Sequence, residues 1–228
     1  MLSTMQNVPL SISRILEYGS TAHASTKVTT WRTDQAEETT FEEVHARAAA
    51  FAHALHDDLG ITGDQRVGSF MHNCAEHLEV QFAVSSMGAV FTPLNKQLMT
   101  DQVRHIINHA EVEVIVADPH LAGPLGTALR ECPTVRAVVF TGLEPLGPAA
   151  EQIPEGVAVH SYEEPEILAI PVLAGSRRSE QRVLNHLRAV ETIAGPTRVS
   201  MMFLRPAPPF VTAAVRERAS SVPFSGSS

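Results

Sequence analysis

Between Thr40 and His160 the chain alternates helix-type and strand-type hydrophobic patterns, and this alternation restricts the possible fold more than any other property of the sequence. Thr40 and Glu43 form a capping-box pattern. Behind them Val44, Ala48, Phe51 and Leu55 recur at three- and four-residue spacing, which predicts a helix with one buried face that stops near Leu59-Gly60. The turn Thr62-Gly63-Asp64 feeds a short apolar run, Arg66 to Met71, of strand length. Asn73 with Glu76 then predicts the start of a second helix carrying Leu78, Phe82 and Val84 or Ser85 toward the core. Ala89-Val90-Phe91 reads as a strand ended by Pro93, whose missing N–H suits a strand edge or exit.

A third helix follows with Thr100 as its cap and Val103, Ile106, Ile107 and Ala110 as its apolar stripe, and Val112 to Ala117 is a β-branched strand run. Leu121, Leu125 and Leu129 outline a fourth helix against the bias of Gly123, Pro124 and Gly126. Val135 to Phe140 and Val157 to His160 are two more strands, and the Pro-, Gly- and Glu-rich stretch from Gly142 to Gly156 reads as a surface loop. Strands alternating with helices of this length imply βαβ crossovers. The predicted class is therefore α/β, a partial layered sheet of parallel type with covering helices.

The alternation stops after Ala169, and the charge changes sign there. Residues 1–169 carry 9 Lys and Arg against 22 Asp and Glu, a net −13, whereas residues 170–228 carry 8 against 3, a net +5. The reading divides the chain into a region 1–169 and a basic tail 170–228, helical or irregular. In the tail Ser179 caps a helix with Val183, Leu184, Leu187, Val190 and Ile193 on one face, and Pro209 to Ala219 offers another. The overall net charge of −8 opposes general affinity for nucleic acid. No run approaches the roughly 18 apolar residues of a membrane span. The N-terminus lacks a secretory pattern, and Cys74 and Cys132 form no disulfide or zinc framework, so a reducing cytoplasm is the expected compartment.

No constellation of residues establishes a catalytic, cofactor-binding or metal site. His105 and His109 stand four apart on a predicted helix, a spacing that brings two imidazoles within reach of one cation, but no third ligand or His-Glu-x-x-His pattern accompanies them and a polar helix face is the expectation. His53 with His56 and His72 with His77 are read in the same way. The carboxylate pairs Glu37-Glu38, Glu42-Glu43, Asp57-Asp58 and Glu163-Glu164 point apart by adjacency and read as solvated faces and helix starts. Ser85-Ser86 lacks the flanking glycines of a nucleophile elbow. Neither G-x-G-x-x-G nor G-x-x-x-x-G-K-[ST] occurs, and Lys27 and Lys96 are the only lysines.

Several segments together carry a family resemblance. They are Thr40-Phe41-Glu42-Glu43-Val44, Gly60-Ile61-Thr62-Gly63-Asp64-Gln65-Arg66-Val67, Asn73 with His77-Leu78-Glu79, Ala83-Val84, Met87-Gly88-Ala89-Val90, Asn95, Gln102 and Ile107-Asn108-His109-Ala110-Glu111, with Met5 to Ile12 as a matching start. In these the chain resembles the N-terminal region of the acyl-CoA synthetases of the adenylate-forming, AMP-binding superfamily, nearest in pattern to the medium- and long-chain fatty acid ligases. The pattern departs from that family at His72, at Phe91-Thr92-Pro93 and at Val112. Gly63-Asp64, Gly88 and Asn73 have scaffold roles in this reading: a turn, a close backbone approach at a helix end, and a helix cap.

The resemblance implies a reaction in which a fatty acid and ATP form an acyl-adenylate and the acyl group passes to CoA, with Mg²⁺. It also implies a Ser/Thr/Gly-rich phosphate loop ending in Pro-Lys-Gly and a lysine on a mobile C-terminal domain. In the family that loop follows a strand and helix like Val157 to Leu168. Here the corresponding stretch is Ile170-Pro171-Val172-Leu173-Ala174-Gly175-Ser176-Arg177-Arg178, with no Thr-Gly pair and no lysine. The expectation is a truncated ligase, inactive alone and binding no cofactor of its own, whose tail arises from a shifted reading frame. The alternative is a non-catalytic module whose basic tail binds a protein partner.

Overall fold

The structure, a computed structural model, describes residues 11–32, 35–142 and 146–163. The tail helices expected beyond Ala169, and Glu164, lie outside the described residues. In chain order the elements are α1 (Ile12–Ala22), β1 (Lys27–Arg32), β2 (Gln35–Thr40), α2 (Phe41–Asp57), β3 (Arg66–Phe70), α3 (Ala75–Ser86), β4 (Val90–Pro93), α4 (Thr100–Ala110) and β5 (Val112–Ala117). A 3₁₀ turn, Pro119–Leu121, then runs into α5 (Ala122–Leu129), followed by β6 (Ala137–Phe140), α6 (Gly147–Ala150) and β7 (Ala158–Ser161).

The capping box expected at Thr40 is present in both directions: the Glu43 N–H donates to Thr40 Oγ1 at 3.3 Å, and the Thr40 N–H donates to the Glu43 carboxylate at 2.7 Å. Two other helix starts differ from expectation. α3 begins with Cys74 at its N-cap rather than Asn73. The orphan N–H of Ala75 donates instead to the hydroxyl of buried Thr30 on β1 at 3.0 Å, so a partner distant in sequence does the work of a local cap. α4 has Met99, not Thr100, at its N-cap, because Gln102 reaches back to accept the Met99 N–H at 3.1 Å and fixes the boundary one residue earlier.

Strands β3 to β7 form one parallel sheet in the order β4-β3-β5-β6-β7, and β1 and β2 form a separate antiparallel hairpin. Alternate residues of each inner strand enter opposite cores, as the two-residue period of a strand requires. Val67, Val114, Val116, Ala137 and Val139 pack with α2 and α3, whereas Phe70, Ile115, Ala117, Val138 and Phe140 pack with α4 and α5. The chain steps one way from β3 to β4 and the other way from β4 through β7. Single-handed crossovers then place α3 on one face and α4 and α5 on the other.

The stretch Gly142 to Gly156 is not only a loop. It contains α6, and Ala149 and Ile153 are buried in the second core. It is drawn in by Gly126 of α5: a Cβ there would lie 1.9 Å from the Gln152 carbonyl oxygen, so the helix and this segment touch backbone to backbone. The same contact explains why α5 forms with a glycine whose propensity opposes it. α1 and the β1–β2 hairpin were not foreseen, because the hairpin is exposed almost throughout and has no apolar alternation to read.

Candidate functional site

In an open parallel sheet the natural binding crevice lies at the carboxyl ends of two adjacent strands whose following loops depart in opposite directions. Here those strands are β3 and β5, and the residues just beyond them are joined across the crevice. The Asp118 carboxylate, after β5, accepts the His72 backbone N–H at 2.8 Å, and Nδ1 of His72 lies 2.6 Å from the same oxygen. Because an ionised carboxylate only accepts, Nδ1 is the nitrogen that donates in this contact. Thr141, at the end of β6, donates to the other Asp118 oxygen at 3.2 Å. Asp118 is buried, whereas the His72 side chain is 55% exposed and faces solvent.

Beside this pair, Nε2 of His77 on α3 lies 2.9 Å from the hydroxyl of buried Ser69 on β3. Burial pushes the His77 imidazole below its usual range, with the Asp118 charge opposing that shift. Burial, reinforced by Glu76, pushes the neighbouring Cys74 thiol up to about 12, so Cys74 is not a thiolate nucleophile at neutral pH. The crevice therefore holds an imidazole oriented by a carboxylate behind it. Among the described residues, the groups that hydrogen-bond there are His72, Asp118, Thr141, His77 and Ser69.

A second polar group binds the same end of the sheet to its helices. Glu79 of α3 is only 2% exposed, yet it accepts from Arg47 Nε of α2 at 2.9 and 3.0 Å and from the Tyr162 hydroxyl at 2.8 Å. Arg47 also donates to Glu163 at 2.7 Å and lies over the Tyr162 ring, 5.5 Å from its centroid. Burial raises the Glu79 carboxyl above its usual range although Arg47 and Tyr162 favour its charge. Burial also works against the Arg47 charge, but the Glu163 hydrogen bond and the Glu79 field outweigh it and the guanidinium is held more firmly than usual. The Tyr162 hydroxyl is raised well above its usual range, chiefly by burial. Sequence reading did not find this group. Its one signal was a charged residue among the buried positions of each of two helices, Arg47 between Val44 and Phe51 and Glu79 beside Val80 and Phe82.

The residues considered from sequence are dispersed. His72 and His77 both lie at the crevice but bond to different partners, Asp118 and Ser69. Nδ1 of His56 lies 2.6 Å from Asp57 at the end of α2. His105 and His109 stack on the exposed face of α4, with centroids 5.8 Å apart. Glu37 and Glu38 pair with Arg32 and Lys27 on the hairpin, Glu42 and Glu43 start α2, and Asp57 and Asp58 end it, all as exposed faces. Glu163 departs from that expectation, because it is held by Arg47. Ser86 is buried. Among the described residues no three His, Cys, Asp or Glu side chains form a metal-binding group.

The sequence profile of the AMP-binding enzyme family matches residues 19–190, a span that crosses the change of charge at 169. The chain is 34% identical over 164 residues to a long-chain-fatty-acid–CoA ligase of Thermus thermophilus, covering 71% of this chain and 28% of that one. It is 31% identical over 141 residues to a medium-chain-fatty-acid–CoA ligase of Ectopseudomonas oleovorans, covering 61% and 26%. In fold it is similar to the A-PCP didomain of a carboxylic acid reductase from Segniliparus rugosus, solved with AMP, at a TM-score of 0.61 and 15% identity, covering 73% of this chain and 27% of that one. The chain spans about a quarter of the length of the curated relatives it matches.

Proposed function

This chain belongs to the AMP-binding enzyme family, and from that membership we propose that it is the N-terminal scaffold of a fatty acid–CoA ligase that does not adenylate a fatty acid by itself. Acyl-adenylate formation needs cations and backbone donors around the transferring phosphate, since that stabilisation is the main catalytic term. The observation that carries the proposal is the sheet's binding crevice: it is lined by His72, Asp118 and Thr141, and the sequence supplies no lysine beyond Lys96 to act there. Lys27 is engaged with Glu38 on the exposed hairpin. The matched residues, from the Thr40 cap to the Gly63-Asp64 turn, build the sheet and its helices and contribute no group to chemistry.

The test is fatty acid-dependent exchange of pyrophosphate into ATP by the purified 228-residue chain with Mg²⁺, across medium and long acids. The expected result is exchange no greater than in the absence of acid. Acid-dependent exchange overturns the proposal. A second reading rests on the net +5 of residues 170–228 against the net −13 before them: the tail binds an acidic protein surface. It requires partner binding that weakens with salt and is lost when residues 170–228 are removed.

A further inference from the structure

We propose that His105 and His109 form an open, two-imidazole site on α4 for a borderline divalent cation such as Cu²⁺, Ni²⁺ or Zn²⁺. The two side chains stand one helical turn apart, both exposed, with ring planes 9° from parallel and centroids 5.8 Å apart. Their nitrogens are uncommitted: among the described residues, no hydrogen bond or ion pair engages either ring. The other histidines discussed above differ, since His56, His72 and His77 each lie within hydrogen-bonding distance of a neighbour.

The backbone beneath the pair is firmly held. Val103 and Ile107 anchor α4 in the core, Arg104 reaches Glu131 at 3.3 Å, and Asn108 donates to the Glu131 carbonyl at 2.9 Å. Rotation of two solvent-exposed rings about their χ angles brings both nitrogens onto one ion, and the fixed i, i+4 spacing supplies the chelate advantage. The surrounding charges largely balance, because Asp101, one turn before His105, pairs with Arg104 at 3.7 Å and Glu111, after the helix end, pairs with Arg66 at 3.8 Å, so the imidazoles themselves carry the affinity. Imidazole selects borderline metals over Mg²⁺ or Ca²⁺, and among them the affinity order places Cu²⁺ above Ni²⁺ and Zn²⁺. No third side chain converges, so water completes the coordination and the site stays open.

The test uses the full chain without a histidine tag, titrated with Cu²⁺ and with Ni²⁺ at pH 7.5, together with H105Q, H109Q and the control H53Q. All sites are exposed or half-buried, and far-UV circular dichroism verifies that each variant is folded. The expected results are a roughly 10- to 100-fold loss of affinity in H105Q and equally in H109Q, unchanged binding in H53Q, and a metal-induced rise in melting temperature absent from both single variants. Binding by H105Q or H109Q equal to the parent, a comparable loss in H53Q, or no binding by the parent overturns the proposal.

Discussion

Replacing Arg47 with methionine isolates the contribution of the buried polar group, because methionine keeps the apolar stem and removes both hydrogen-bonding forks. The variant leaves the Glu79 carboxylate, 2% exposed, with the Tyr162 hydroxyl as its remaining partner. Removing one partner of a buried pair costs about 3–5 kcal/mol, and the partial exposure of Arg47, 28% for its side chain, puts this case at the lower end, about 3 kcal/mol. For a domain of this size that is a fall in melting temperature of about 6–12 °C. The pH dependence discriminates further. Burial already holds the Glu79 carboxyl above its ordinary value, and loss of Arg47 raises it more. A group raised in the folded state contributes stability that is complete below its unfolded pKa, about 4.3, and is lost as pH rises through the folded value. The deficit of R47M is therefore larger at pH 8 than at pH 5. Urea unfolding at the two pH values, followed by far-UV circular dichroism, measures it. Fluorescence is a poor probe, since the single tryptophan, Trp31, is 75% exposed on the hairpin. A deficit below about 1 kcal/mol, or one that does not change with pH, refutes a stabilising role for the network.

Two further outcomes follow from local geometry. Gly126→Ala is expected to destabilise the chain by more than about 2 kcal/mol, because its Cβ would overlap the Gln152 carbonyl at 1.9 Å, whereas Gly147→Ala, with nothing within 4 Å, is expected to stay within about 0.5 kcal/mol; equal melting temperatures for the two would contradict the close contact. At the start of α2 the Thr40 backbone N–H, with the Thr40 hydroxyl, holds the Glu43 carboxyl below its ordinary range. Its stabilisation is present above the unfolded pKa and lost as pH falls through the folded one, so the gap between the parent and E43Q is expected at pH 7 and should close below about pH 4.

The elements legible in the sequence were those whose hydrophobic period reached the core unaided. β5 falls on the expected residues, 112–117, and α2 starts at the expected cap, because Val112 to Ala117 and Thr40 with Glu43 are local patterns with one structural solution. Where tertiary partners intervened the reading shifted. α3 starts after Cys74 because Thr30, 45 residues away, supplies the acceptor, and α6 docks because Gly126 lets Gln152 approach. The exposed hairpin gave no signal, since neither of its faces is apolar.

The candidate site was less legible for the same reason. His72 was visible as a histidine, but its place depends on β3 and β5 being neighbours although β4 lies between them in sequence, and Asp118 and Thr141 gain their meaning only from that strand order. Glu79, Arg47 and Glu163 are 32 and 116 residues apart in their pairings. The apolar pattern thus specifies the sheet and its two cores, while the polar residues gathered at the carboxyl ends of the strands specify where the sheet joins other groups. Arg47 ties α2 and α3 to Glu163, immediately after β7 and Tyr162. Arg47, Glu79, Tyr162 and Glu163 thus tie α2 and α3 to the exit of the last described strand.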